Sequence, residues 1–555
     1  MENNIYIIED KFNKLSQNLN FKSIEYTPDL ITDSKIDHWI INILFGLNPN
    51  IEKLIIPIRL GYEDSECIGL RIGLHIRLTK ELNEKRYIPI LFVSVNESRE
   101  EIVSNQISGN LLLTSLILFT PGTKLIDLFD LNETIINSLS KIDDTILKNE
   151  VLPKLIIPNE RGSGHQLSNE WGALRLAKLA RVKLKTLSKP TDLYFKYKFA
   201  YSDFDINATE IIKIGAIEKN CKFLIIDDNA KNGWEELILH IINSEVINKF
   251  TNKSICTSII DFEQALTYTD LESQDVIFLD LRLKKHEENI QNESINELSG
   301  VQVLKKIKSI NKGIQVIIIT ASNKAWNIKA LLDAGADSYF IKESVEVTIS
   351  DSTSQKNYND FIESIKIAFH RNYLKVIFSR IKAINLKLES LLDSIDDKRN
   401  AFLNEIIVLI DQSFDMHYNA KTEKQFAYAY VTLYMIIEII NKEFVSVDGD
   451  KNWYIDDRLL EKWGKKNGAI TYDQTNEKYR SEANKILGIA IKKLSIENTN
   501  KILLTTNSCI TRRSDFIHPK TINNEGKQKI TDGKIYTTDG YIELFNLIEL
   551  ILFSL

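Results

Sequence analysis

The chain has 555 residues, 43% hydrophobic and 26% charged, with a formal net charge of −6. That length implies three or four globular domains, and the acidic balance excludes a global electrostatic footprint for nucleic acid, so any such binding must be local. Cys67, Cys221, Cys256 and Cys509 form no CxxC pair, which argues against zinc and against a disulfide framework and fits a reducing cytoplasm. The opening MENNIYIIED has acids where a secretory signal would have a basic region, so no signal peptide is expected. No apolar run reaches membrane-spanning length.

In chain order, the first segment carries the strand-like runs IYIIED (5–10), KLIIPIRL (53–60), IPILFVSVN (88–96) and SLILFT (115–120). GLRIGLHIR (69–77) lies between the second and third. From Leu131 to Thr209 the texture changes. A Gly/Ser/Pro-rich turn precedes Leu167–Leu187, whose apolar residues fall at helical spacing with Ser168 or Asn169 as the expected cap. Arg175, Lys178, Arg181, Lys183 and Lys185 on its other face read as a solvated surface. This stretch is a helical connector of unassigned role.

From Lys222 to Glu343 two apolar strands end in acid. KFLIIDD stops on Asp227 and Asp228, and VIFLDLRL delivers Asp280. VIIITAS brings Thr320 to a strand end and YFIK brings Lys342. Continuous Val/Ile/Leu/Phe runs separated by helical stretches read as a parallel sheet covered on both faces. The carboxyl ends of such strands share one edge, where ligands bind. Three crowded carboxylates repel unless a hard cation such as Mg²⁺ sits among them. With a lysine and a hydroxyl beside them, they are equipped to receive a phosphoryl group on a central aspartate.

This stretch resembles the receiver domain of two-component response regulators, over about a quarter of the chain. The resemblance implies Asp280 as phosphoacceptor, with Asp227 and Asp228 as metal-binding acids and the backbone carbonyl of Arg282 as a further Mg²⁺ ligand. It implies Thr320 as the switch hydroxyl, Lys342 as the phosphate-pairing lysine and Tyr339 as the aromatic switch. Two departures stand out. Glu343 follows the lysine where the family usually has proline, so a cis bond there is lost. Lys284–Leu298 is a polar insertion, expected to form a mobile flap beside the acceptor with His286 a solvated loop residue.

The first segment then reads as a worn copy of the central one. Pro57 stands at the acceptor position, Val93 at the switch threonine and Thr120 at the lysine. Proline offers no nucleophile, so this copy resembles a pseudo-receiver that takes no phosphate and serves for docking or dimerisation.

Beyond Lys342 the chain turns helical. Phe361–Ile395 reads as an output helix, followed by helices over Ala401–Phe414, Phe426–Val445, Asp456–Lys466, Tyr479–Leu494 and Tyr541–Leu555. Within them TRRSDFIHPK (511–520) places Arg513 and His518 five apart before Pro519. An arginine can hold a phosphodiester while a histidine exchanges a proton with the 2′-hydroxyl or leaving oxygen. The stretch resembles the R-x4-6-H motif of HEPN domains, helical bundles that commonly cleave RNA as dimers. That implies Arg513 and His518 as catalytic residues, with Ser514 departing from the usual Asn, Asp or His. Residues 496–535 carry seven Lys/Arg against four Asp/Glu, a local cationic patch compatible with phosphate contact.

The expected fold class is multidomain α/β plus all-α. It comprises a pseudo-receiver (1–125), a mainly helical connector (126–217), a receiver (218–350) and a HEPN-like helical output domain (351–555). The expected function is that of a cytoplasmic response regulator, phosphorylated on Asp280 by a histidine kinase or phosphotransfer protein. It would control a metal-independent endoribonuclease, working as a homodimer on RNA in phage defence or stress. The alternative is a non-enzymatic adaptor whose helical bundle binds a partner protein. No Walker-type loop and no DNA-reading helix-turn-helix stand out, so neither nucleotide chemistry nor specific DNA binding is expected, nor membrane association.

Overall fold

A computed structural model describes residues 4–10, 21–27, 32–60, 67–94, 97–105, 107–114, 117–121, 141–158, 164–182 and 192–201 of the first part of the chain. Beyond these it describes 222–243, 255–284, 287, 297–321, 325–344, 351–392, 396–448, short strands between 453 and 472, scattered positions between 486 and 513, and 538–555. The chain divides into two compact units. One is Met1–Lys305 with Val316–Phe369, and the other is Lys306–Gln315 with His370–Leu555.

The first unit holds two parallel sheets of five strands each. β1 (Ile5–Glu9), β2 (Lys22–Glu25), β3 (Lys53–Pro57), β4 (Ile90–Ser94) and β5 (Ile117–Pro121) line up in the order β2-β1-β3-β4-β5. β6 (Lys222–Ile226), β7 (Ile255–Ile259), β8 (Val276–Asp280), β9 (Gln315–Thr320) and β10 (Ser338–Ile341) repeat that order. β1, β4, β8 and β9 are buried along their whole length, as strands covered on both faces must be. Helices α1 (Asp33–Trp39), α2 (Ile68–Leu78) and α3 (Arg99–Asn105) belong to the first sheet. α4 (Gly164–Leu179) and α5 (Leu193–Tyr201) form the connector.

The second sheet carries α6 (Glu235–Asn243), α7 (Phe262–Thr267), α8 (Ser299–Ile310), α9 (Ala325–Asp333) and α10 (Asp351–His370). Gly335, at φ 103°, turns the chain out of α9 in a conformation that favours glycine.

Two glycines expose the internal repeat. A Cβ on Gly300 would lie 2.2 Å from the Asp280 carbonyl oxygen, and one on Gly69 would lie 1.9 Å from that of Pro57. Each glycine lets the helix after the third strand approach that strand's end closely. Register also refines the correspondence. Val93 pairs with Thr120, whereas Thr320 pairs with Ile341, so Pro121 rather than Thr120 stands where Lys342 does. A proline there offers neither an ammonium nor a hydrogen-bond donor to a phosphoryl group.

The second unit is chiefly helical. α11 (Tyr373–Ser390), α12 (Asp397–Asn419), α13 (Glu423–Phe444) and α14 (Thr538–Ser554) bury one apolar cluster that includes Ile381, Ile406, Leu433, Ile437 and Ile548. α13 opens on a capping box in which Thr422 and Gln425 satisfy one another's backbone donors. Phe361–Ile395 is two helices rather than one, divided at Arg371–Asn372. The helix expected over Asp456–Lys466 is instead short antiparallel strands: β11 (Trp453–Ile455) pairs with β12 (Arg458–Leu459), and β13 (Trp463–Lys466) pairs with β14 (Ala469–Tyr472). Most of Tyr479–Leu494 lies outside the described residues. Among the described residues, no helix is long and apolar enough to cross a membrane.

Candidate functional site: an acidic cluster at the edge of the second sheet

Ile226 of β6 pairs with Leu279 of β8, so Asp227 and Asp280 follow side by side at the strand ends. Asp227 is fixed by its neighbours. Its Oδ1 accepts from the Asn229 amide at 2.7 Å and its Oδ2 from Lys342 Nζ at 2.9 Å. Asp228 Oδ1 accepts from Asn229 Nδ2 at 2.8 Å. The carboxylates of Asp227, Asp228 and Asp280 each present an oxygen within 4.8 Å of the others. Thr320 ends β9, 3% exposed, and its carbonyl oxygen accepts from the Lys342 amide at 2.7 Å. Asp227, Asp228, Asp280, Thr320 and Lys342 therefore reach one edge, while Tyr339 lies on β10 and is 39% exposed. Arg282 lies two residues beyond Asp280, on the segment leaving β8.

Lys342 is 1% exposed, with its ammonium 3.6 Å from Asp280 Oδ1 and 4.9 Å from the Trp234 ring centroid. Burial alone would push its pKa down, but Asp227 and Asp280 more than offset that and raise it. Burial, opposed by Lys342 and reinforced by Asp227 and Asp228, pushes the Asp280 carboxyl up to about 7. Asp280 Oδ2 is buried and has no hydrogen-bond partner among the described residues. An orphaned carboxylate oxygen beside two further carboxylates is the hard-oxygen setting of a divalent cation, so these residues fit Mg²⁺.

Sequence reasoning missed the other half of this site. Ser168 and Asn169 do not cap the connector helix; α4 starts at Gly164 and both lie inside it. Asn169 Oδ1 accepts from Lys342 Nζ at 2.6 Å. Arg175 is not on a solvated face. Its Nε lies 2.9 Å from Glu343 Oε2 and its Nη2 donates to Ser354 Oγ at 2.6 Å, all three residues being buried. Glu343, which replaces the family's proline, is thus an anchor for α4, and no peptide bond among the described residues is cis.

Of the polar insertion, Glu287 is buried and accepts from the Ser299 amide at 2.9 Å at the start of α8. His286 lies outside the described residues.

In the second unit, Arg513 Nη2 donates to Glu438 Oε1 at 2.7 Å, and its guanidinium lies 5.6 Å from the Tyr434 ring centroid. His518 and Ser514 lie outside the described residues.

Comparison with known proteins agrees with the two sheets. Residues 3–126 match the model of the Inactive Receiver domain, and residues 223–352 match that of the Response regulator receiver domain. The chain is 26% identical over 153 residues to the nitrate/nitrite response regulator protein homolog of Haemophilus influenzae, across 27% of this chain and 64% of that protein. It is 30% identical over 123 residues to the nitrate/nitrite response regulator protein NarP of Escherichia coli K12, across 22% of this chain and 47% of that protein. It thus spans about half to two thirds of these relatives' lengths. Among solved structures, a CheY-like response regulator receiver domain protein from Methanospirillum hungatei JF-1 shares 19% identity, covering 28% of this chain and 98% of that one at a TM-score of 0.20. The chain carries an inactive receiver domain followed by a response-regulator receiver domain.

Proposed function

We propose that this protein is a response regulator with Asp280 as its phosphoacceptor and the helical unit as its output. The observation that carries the reading is the meeting of Asp227, Asp228, Asp280, Thr320 and Lys342 at one sheet edge, around a buried carboxylate oxygen with no hydrogen-bond partner among the described residues. Mg²⁺ held by Asp227, Asp228, Asp280 and the Arg282 carbonyl would neutralise phosphoryl oxygens. An oxygen of Asp280 attacks phosphorus, and the bond to the donor's leaving group breaks with its electron pair. Lys342 offsets charge on the arriving group, and the Thr320 hydroxyl donates to one of its oxygens. Phosphorylation then biases an existing equilibrium, with Thr320 and the exposed Tyr339 turning inward. The donor is a histidine kinase or a phosphotransfer protein.

For the output, the ribonuclease reading has Arg513 and His518 of paired HEPN-like domains cleaving RNA. Against it, Arg513 is engaged by Glu438 and Tyr434. The helical unit also displays Val408, Met416, Tyr428 and Met435 to solvent on α12 and α13. These two observations favour the second reading, an adaptor that binds a partner protein.

The test is the intact mass of the purified chain after acetyl phosphate and Mg²⁺. One phosphoryl group on the wild type and none on Asp280→Ala is expected, and equal labelling of both would overturn the reading. RNA incubated with wild type and His518→Ala decides the output. Cleavage that needs His518 restores the ribonuclease, and no cleavage in either phosphorylation state supports the adaptor.

A further inference from the structure

We infer that the connector helix α4 is a latch on the acceptor site, in which Asn169 holds the lysine that a phosphoryl group on Asp280 must recruit. The inference rests on Asp280 being the phosphoacceptor. An ammonium has three donors. In Lys342 one goes to Asn169 and one to Asp227, while Asp280 Oδ1 stands off at 3.6 Å. A phosphoryl group on Asp280 therefore competes with Asn169 for the same ammonium.

The latch is fastened along the segment that follows β10. Ser168 Oγ lies 3.2 Å from Ser344 Oγ, Asn169 takes Lys342, and Arg175 takes Glu343. At Gly172, on the same face, an added Cβ would sit 3.3 Å from Lys342 Cβ, from the Glu343 carbonyl oxygen and from Trp234 Cζ2. The helix thus lies directly on the lysine and tryptophan that wall the site. Below these contacts Ala173, Leu176, Ala177 and Leu179 join the receiver's own core with Phe223, Trp234 and Phe340. With α4 in place Asp227, Asp280 and Lys342 are each 3% exposed or less.

The far side of the latch is held by the inactive receiver. Trp171 of α4 stacks on Phe195 and Phe199 of α5 at 5.9 and 4.5 Å. Lys196 of α5 is buried against Asp37 and donates to Thr79 Oγ1 at 2.7 Å, and the Leu193 amide donates to Asp33 Oδ2 at 3.0 Å. Linkage is reciprocal. Whatever holds α4 down disfavours the phosphorylated state, and phosphorylation loosens α4; the rate follows as far as the transition state already draws on Lys342. A domain without an acceptor thereby acquires a task, to anchor the helix that guards its neighbour's.

The experiment follows the rate of phosphoryl transfer from acetyl phosphate to the full chain at saturating Mg²⁺, by intact mass. Wild type is compared with Asn169→Ala and Asn169→Asp, each checked for folding by circular dichroism. In the transfer an Asp280 oxygen bonds phosphorus and acetate leaves. Asn169→Ala is expected to be faster by about 5- to 20-fold, within the usual range of site coupling. Asn169→Asp is expected to be slower, because a carboxylate holds the ammonium more firmly. Hydrogen exchange in the peptide 168–179 of the wild type should rise on adding beryllofluoride with Mg²⁺. Equal rates in all three proteins with unchanged exchange would overturn the latch and leave the acceptor standing. A slower Asn169→Ala would also overturn it, making Asn169 an aid to transfer. No labelling of any protein would remove the acceptor reading, and the latch with it.

Discussion

Arg175 and Glu343 form an ion pair in which both side chains are at most 5% exposed, with Ser354 Oγ donating to Glu343 Oε2 at 2.9 Å. Removing one member of such a pair strands a buried charge, at a cost of about 3–5 kcal/mol, whereas replacing both with apolar residues is near neutral. Arg175→Met should therefore lower the stability of the full chain by about that much in urea unfolding. Arg175→Met combined with Glu343→Leu should recover most of it. A double variant no better than the single would show that the pair is not the source of the loss.

The close approach at Gly300 predicts a sensitive position. Alanine there would press on the Asp280 backbone, which cannot yield as a flexible side chain would. Displacing the acceptor by a fraction of an ångström should slow labelling by acetyl phosphate about 10- to 100-fold, with a stability loss of about 1–3 kcal/mol.

Restoring an acid to the first sheet should not restore chemistry. Pro57→Asp would supply a carboxylate, but Val93 and Pro121 still stand where Thr320 and Lys342 do in the second sheet. Acetyl phosphate should leave Pro57→Asp/Asp280→Ala unlabelled, as read by intact mass.

Trp234 is fully buried and faces Lys342, so its fluorescence should report the charge in the acidic cluster. Mg²⁺ should change the intrinsic emission and EDTA should reverse the change. Trp234→Phe should remove most of the response. Asp227→Asn should raise the Mg²⁺ concentration needed by about tenfold or more, the usual scale for losing a ligating or supporting group.

His417 gives the helical unit a pH dependence. It is 2% exposed, stacked on Tyr541 at 3.8 Å with the Tyr373 hydroxyl 2.7 Å from Nε2. Burial, with Arg371 adding to it, pushes its pKa from 6.5 down to about 3. Between those values the unfolded chain binds a proton that the folded chain does not, so stability falls as pH drops below 6.5. The slope approaches about 1.4 kcal/mol per pH unit, or about 2 kcal/mol between pH 7 and 5. His417→Gln should flatten this difference in urea unfolding compared at the two pH values.

The acidic edge of the second sheet was legible because its signals are local. An apolar strand that ends in a polar or charged residue declares both its burial and its exit, and four such strands in order bring Asp227, Asp280, Thr320 and Lys342 to one edge. Asn169 and Arg175 gave no such signal, since their partners lie 173 and 168 positions away and helical periodicity cannot say which face meets another element. Glu343 was noticed as a departure but read as a loss, because an anchor is visible only with its partner. Asp456–Lys466 misled for a different reason. Ile455 pairs with Arg458 and Trp463 with Tyr472, so pairing with neighbouring segments decides the structure there, which residue spacing inside one window does not show.

We expect the chain to have one phosphoacceptor, in the second of its two receiver-like sheets. The most direct measurement is borohydride trapping of the full chain after acetyl phosphate and Mg²⁺, which reduces an aspartyl phosphate to homoserine, followed by peptide mass spectrometry. Homoserine is expected at position 280 and in none of the peptides that contain Glu9, Asp10 or Pro57. Homoserine in the first sheet, or an unmodified Asp280 in protein that has gained a phosphoryl group, would contradict it.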